Sequence, residues 1–221
     1  MPESAGIIEV IKNRRNTKKF TDEIVSDENV ELILECGTWA PNHRNTEPWR
    51  FYVSKTGSVF RDALLTAMIE DQEMRSGKEV TDVQRNNFHS QVNQSPILIF
   101  VYSEIAEIDA ISEENYAAVC CAIQNLWLAA RTEGIGLGWV SILSNDTLKE
   151  QLELPDHVVP VAYLCLGHVT NFETKPDLER VGWLPRLDLK DVVYYERWEQ
   201  KEDSGWKQIE QLIKTNLDTL K

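Results

Sequence analysis

The sequence predicts an α+β fold, and three observations carry that reading. Predicted helices and strands alternate irregularly along the chain, without the regular βαβ series of a doubly wound parallel sheet. Two apolar runs, residues 97–102 and 158–166, have the length of buried strands. Between them lies a long predicted helix rich in alanine and cysteine, a composition suited to close central packing. No internal repeat, Gly/Ser linker or low-complexity tract divides the 221 residues. A single domain spanning 1–221 is expected.

Each element has its own local reason. The first helix is predicted over residues 4–15, with Ile7, Ile8 and Ile11 on one face. Ser26 is a candidate N-cap for the second, followed by Asp27 and Glu28, because an oxygen there satisfies an orphaned N–H and acids suit the positive helix end. Val30, Ile33 and Leu34 follow at helical spacing, and Pro41 closes the element. Residues 49–53 are aromatic and β-branched and predict a strand. Residues 58–93 are polar and mostly helical, broken at Ser76 and Gly77, and read as a helical excursion over the core.

Pro96 opens the apolar strand 97–102. The long helix is predicted from Ser112, with Glu113 and Glu114 in its first turn, to about Glu133. Gly134, Gly136 and Gly138 precede a predicted strand 139–143, and a helix is expected from Ser144. Strand 158–166 carries Pro160 near its start, where proline is tolerated. An irregular stretch is expected from Gly167 to Leu189, then a short strand over 192–195. An amphipathic helix after Asp203, with Trp206, Ile209, Leu212 and Ile213 on one stripe, makes 199–221 a C-terminal helical extension.

Composition narrows the function classes. A formal charge of −13 argues against nucleic acid as the main partner, since that binding depends on neutralising phosphates with a broad basic surface. No stretch approaches the roughly 20 apolar residues of a membrane helix. Residues 1–6 lack a basic segment followed by an apolar one, so no secretory signal is read and a cytoplasmic location is expected. Cys36, Cys120, Cys121 and Cys165 show neither CxxC nor metal-ligand spacing, and the four histidines are scattered. A reduced, metal-free protein follows.

Against the acidic background, Lys12, Arg14, Arg15, Lys18 and Lys19 fall within eight residues. Two readings stand. The cluster holds an anionic ligand, or it is a solvated helix end whose cations complement the macrodipole. The glycine run 134–138 sits after a helix and before a strand, the reverse of the dinucleotide fingerprint. It reads as a helix C-cap, a close approach to a ligand or another chain, or both. No nucleophile elbow, Walker loop, HExxH or carboxylate dyad is present. An enzyme with this inventory leans on a cofactor.

Five segments, taken in order, resemble the FMN-dependent nitroreductase family: residues 11–20, 40–51, 136–141, 166–167 and 185–189. Residues 40–51 match the APxHxxxxPWRF segment of its compact bacterial branch. The resemblance runs from about residue 7 to 198 and implies a three-layer α+β sandwich with a mainly antiparallel sheet, built as an intertwined homodimer with FMN at the interface. It implies that Arg14 and Arg15 are phosphate or ribityl ligands, for which a planar guanidinium is suited. Asn16 stands where a serine is usual, and Lys18 matches a cation near the flavin pyrimidine edge that would stabilise the reduced ring. Trp139, Val140 and Ser141 match contacts along the isoalloxazine. Trp39 and His43 match contacts from the other subunit, with tryptophan replacing a common arginine; His43 also reads as a cap on the loop after Pro41. Arg186 matches a second phosphate anchor, and Leu184 replaces a lysine found in some members. The implied activity is NAD(P)H-dependent reduction of an electron-poor acceptor (nitroaromatic, quinone or enone) by a ping-pong mechanism. Dehalogenation, flavin destruction and a non-enzymatic FMN-binding module are the alternatives.

Overall fold

Four strands form one antiparallel sheet: β1 (Trp49–Lys55), β2 (Ile97–Glu104), β3 (Ile135–Ser141) and β4 (Val158–His168), in the spatial order β1-β2-β4-β3. The structure is a computed structural model and describes residues 6–141, 146, 149–150, 152–183, 185–195 and 197–198. Strands β2 and β4 are central and covered on both faces, which is why each reads as a continuous apolar run instead of alternating. Pro160 sits at a register shift: Val101 faces Ala162, Tyr102 faces Pro160, and Val161 is the extra residue between them. A bulge there absorbs the missing N–H of proline.

Helix α5 (Asp109–Thr132) covers one face together with α2 (Asp27–Thr38). Ala118, Ala122 and Ala130 are buried beside Val119, Ile123 and Leu126, so small side chains do bring α5 close to the sheet. Ser26 caps α2 by accepting from the Asn29 N–H at 3.2 Å. The start of α5 differs from expectation. It begins at Asp109, and the Ser112 hydroxyl closes the preceding loop through the N–H and carbonyl of Ala106. Helix α1 (Ile7–Asn13) buries only Val10, while Ile7, Ile8 and Ile11 are exposed. Its apolar face points away from the core.

Residues 58–93 are helical as expected, but they do more than cross the core. Helices α3 (Val59–Ser76) and α4 (Asp82–Val92) form the third layer, with Leu64, Ala67, Met68 and Val92 packed against Leu98, Phe100 and Tyr163. The break falls at Gly77, in the left-handed region (φ 64°). Within this layer Arg61 is 2% exposed and donates to the carbonyls of Ser54, Lys55, Val92, Ser95 and Pro96. One buried guanidinium joins α3 to carbonyls at the end of β1, the end of α4 and the loop before β2.

Strand β3 begins at Ile135, so Gly136 and Gly138 lie inside it and only Gly134 ends the helix, at φ 71°. Of the helix expected from Ser144, only positions 146, 149 and 150 are described, and they are helical. The predicted strand 192–195 is not formed. Helix α6 (Asp177–Arg180) is followed by α7 (Leu189–Val192), after which Val193 is extended without a ladder partner among the described residues. Strand propensity was present, but a strand also needs an edge to pair with. The amphipathic helix after Asp203, Leu184 and residues 142–145 lie outside the described residues. The chain forms two compact units, one ending at Thr174 and the other starting at Lys175. Among the described residues, no helix is long and apolar enough to cross a membrane.

Candidate functional site

The basic cluster separates into parts as soon as α1 ends. Arg14 is the C-cap, its N–H donating to Val10 O at 2.9 Å and its backbone already extended. Only Lys12 lies in the last helical turn, so macrodipole complementation accounts for one cation of the five. Arg14 places its guanidinium carbon 4.0 Å from the ring centre of Trp127 on α5, a cation–π contact. Trp127 in turn lies 6.3 Å from Trp139 at a 38° tilt and donates its indole N–H to Arg15 O at 3.3 Å. Arg15 is committed to the turn itself, donating to the carbonyls of Lys12, Arg14 and Thr174 at 2.9, 2.7 and 2.6 Å.

Asn16 then fastens this segment to the sheet. Its carboxamide accepts from the Trp139 N–H at 2.6 Å and donates to the Trp139 carbonyl at 3.4 Å. That side chain does for edge strand β3 what a neighbouring peptide group would do. One residue on, the Thr17 N–H donates to Leu137 O at 3.1 Å. The glycines make this approach possible: a Cβ on Gly138 would strike the Thr17 carbonyl oxygen, and one on Gly136 would fall 2.5 Å from Val169. The close approach expected of the glycine run is therefore made by the chain's own basic segment. Lys18 and Lys19 follow and are exposed.

The remaining expected residues are distributed unevenly. Val140 is half-buried opposite Tyr163, and the Ser141 backbone pairs with Ala162. Trp39, the C-cap of α2, is 79% exposed. His43 opens a 3-10 turn (His43–Asn45), and its Nδ1 lies 2.9 Å from Glu114 Oε2. Glu114 and Trp127 are thirteen positions apart on α5, about 20 Å at 1.5 Å per residue. The structure therefore gathers Arg14, Arg15, Asn16 and Trp139 at one end of α5 and leaves His43 at the other. Arg186 is exposed in the second unit.

Two contributors were not singled out in the sequence. Trp127, a large aromatic in a helix of small residues, was the visible clue to the first; Glu114 looked like an ordinary first-turn acid. Burial pushes Cys120 and Cys165 above the usual thiol range, which disfavours the reactive thiolate at those two positions. No group of three or more potential metal ligands exists among the described residues.

The arrangement suits a phosphorylated aromatic ligand. Guanidinium groups supply fixed positive charge, Trp127 and Trp139 supply apolar planes, and the buried Arg15 Nε has no hydrogen-bond partner among the described residues. The Nitroreductase family pattern matches residues 11–168, so this chain belongs to the nitroreductase family. It is 29% identical over 191 residues to a 5,6-dimethylbenzimidazole synthase of Rhodospirillum rubrum, covering 82% of this chain and 90% of that protein. It is 33% identical over 164 residues to a Bacillus subtilis protein provisionally named NAD(P)H nitroreductase YfhC, covering 72% and 82%. Among solved structures, a nitroreductase-type protein of Desulfovibrio desulfuricans in complex with FMN aligns at a TM-score of 0.67 and 25% identity, covering 89% of this chain and 99% of that one.

Proposed function

We propose that this member of the nitroreductase family binds FMN and uses it to pass reducing equivalents from NAD(P)H to an electron-poor acceptor, one substrate after the other. The observation that carries the reading is the Arg14–Trp127–Trp139 arrangement, fastened to β3 through Asn16 in an otherwise acidic chain. When bound, FMN supplies the hydride chemistry; the protein's residues bind and orient it. Arg14 and Lys18 offer positive charge to the phosphate and the pyrimidine edge, while Arg15 holds the turn that presents them. Asn16 acts on the ligand indirectly, by fixing Trp139. Trp139, Val140 and Ser141 line the ring, and Arg186 is assigned to the phosphate on the family motif alone.

In this reading two copies complete each site. The exposed Ile7, Ile8 and Ile11 of α1, with Tyr116 and Cys121 on the outer face of α5, support association. Two α5 helices running antiparallel across a two-fold axis would bring the Trp39 and His43 end of one copy to the Arg14 and Trp139 end of the other. The acceptor class is nitroaromatic, quinone or enone, which share an electron-poor π face.

The test is anaerobic. Purified FMN-loaded protein should lose its flavin absorbance near 450 nm on addition of NADPH or NADH, and retention of the absorbance with both donors would refute the nicotinamide step. Arg14→Ala should weaken FMN retention about tenfold or more, as loss of a charge-assisted phosphate contact does, and Lys19→Ala should leave it nearly unchanged. A second reading is favoured by the relatives named 5,6-dimethylbenzimidazole synthase: the flavin is consumed as a substrate, since its dimethylated benzene ring matches that product. Formation of 5,6-dimethylbenzimidazole from reduced FMN in air would select it.

A further inference from the structure

We propose that His43, oriented by Glu114, donates the proton that completes reduction of the acceptor; this rests on the flavin-dependent reading above. The imidazole Nδ1 and Glu114 Oε2 are 2.9 Å apart. A carboxylate at that nitrogen holds the Nδ1–H form of the neutral ring and leaves Nε2 as the working atom. Among the described residues no hydrogen bond engages Nε2, and the His43 side chain is 37% exposed, so a substrate can reach it.

The loop that carries His43 is held under strain. Arg44, Asn45 and Glu47 occupy positive φ at 49°, 58° and 43°, a conformation that costs non-glycine residues energy and persists where the surroundings impose it. Two consecutive residues of α5 contact the loop. Glu114 holds His43, and Asn115, 4% exposed, accepts from the Thr46 hydroxyl at 2.9 Å while donating to Glu104 O at 3.2 Å. The Glu47 N–H donates to Asn42 Oδ1 at 3.1 Å and closes the turn. A surface histidine that merely capped a loop would not need its ring fixed from a helix seventy residues away.

The chemistry calls for such a group. Hydride addition to a quinone, enone or nitro group leaves a negative oxygen that must be protonated. A guanidinium does not serve as a proton donor near neutral pH, whereas an imidazole does. In the balanced step for a quinone, one hydride with its two electrons comes from the reductant, one proton moves from His43 Nε2 to the phenolate oxygen, and hydroquinone leaves. The neutral ring regains its proton from water. Glu114 neither gives nor takes a proton in this step; it holds the ring through Nδ1, so it is a positioning residue.

Two measurements test this. Nitrogen-15 NMR of the neutral ring in flavin-free protein, with the His43 signal identified by its loss in His43→Gln, should show the Nδ1–H form in the natural sequence and its loss in Glu114→Ala. Stopped-flow mixing of the reduced FMN-loaded protein with 1,4-benzoquinone should then show reoxidation slowed about 100-fold in His43→Gln and about tenfold in Glu114→Ala. In each variant the fall should far exceed any change in the rate of flavin reduction by NADPH. An unchanged ring form in Glu114→Ala, or reoxidation within about twofold of the natural protein in His43→Gln, overturns the proposal. Failure of the unsubstituted protein to bleach with either nicotinamide refutes the flavin reading itself and the proton role with it.

Discussion

At the C-terminal end of α5, residues 14–17 lie against β3 because Gly136 and Gly138 leave room for them. At its N-terminal end, by contrast, Arg44, Asn45 and Glu47 take left-handed backbone without a glycine to accept it. The first loop is held by space, by backbone bonds from Asn16 and Thr17, and by the Arg14–Trp127 stack. The second is held by side chains of α5 that restrain a strained turn. Glycine is supplied where the chain must approach closely and withheld where a turn would have been cheapest to make. Relief of strain was evidently not the governing requirement around His43, which fits a turn kept for the placement of its side chain.

The largest effect that would sharpen this contrast is expected from Gly138→Ala. Its new methyl would meet a backbone carbonyl that belongs to the fastened segment, so either β3 or residues 16–17 must shift. A loss of about 3 kcal/mol is expected in urea denaturation, with weakened FMN retention; unchanged stability would show that the two segments are not in close contact. Asn115→Ala comes next, at about 2 kcal/mol, because it removes from a buried position the bond to Glu104 O and the acceptor of the Thr46 hydroxyl. It should also broaden the His43 signals in NMR. Glu47→Gly is the smallest. It relieves positive φ at residue 47 but adds freedom to the unfolded chain, so net stability should change by less than about 1 kcal/mol while order at His43 falls. Equal responses to Gly138→Ala and Glu47→Gly would erase the distinction between the two ends.

The readable parts of the sequence were those whose cause is local. Strand β2 and helix α5 announce themselves by apolar runs and small-residue spacing, and Ser26, Gly77 and Gly134 mark helix ends at the positions their chemistry favours. Ser112 was misleading because a serine hydroxyl serves a loop as readily as a helix start. Gly136 and Gly138 looked like part of a turn, since the groups that crowd them lie far off in sequence, Thr17 at Gly138 and Val169 at Gly136. The polar helices of 58–93 looked peripheral because the sequence does not reveal that Arg61 is buried among five carbonyl groups.

The sequence by itself determined the α+β class, most of the elements, the family and the concentration of charge at residues 12–19. These follow from periodicity, turn chemistry and ordered motifs, all of which act over a few neighbouring residues. Tertiary structure alone decided that Arg14 stacks on Trp127, that Asn16 completes the edge of β3, that Arg15 holds a turn, and that His43 is paired with Glu114 at the far end of α5. Each of those contacts joins residues about 70 to 160 positions apart. Their partners are chosen by how layers pack, and no local pattern encodes that choice.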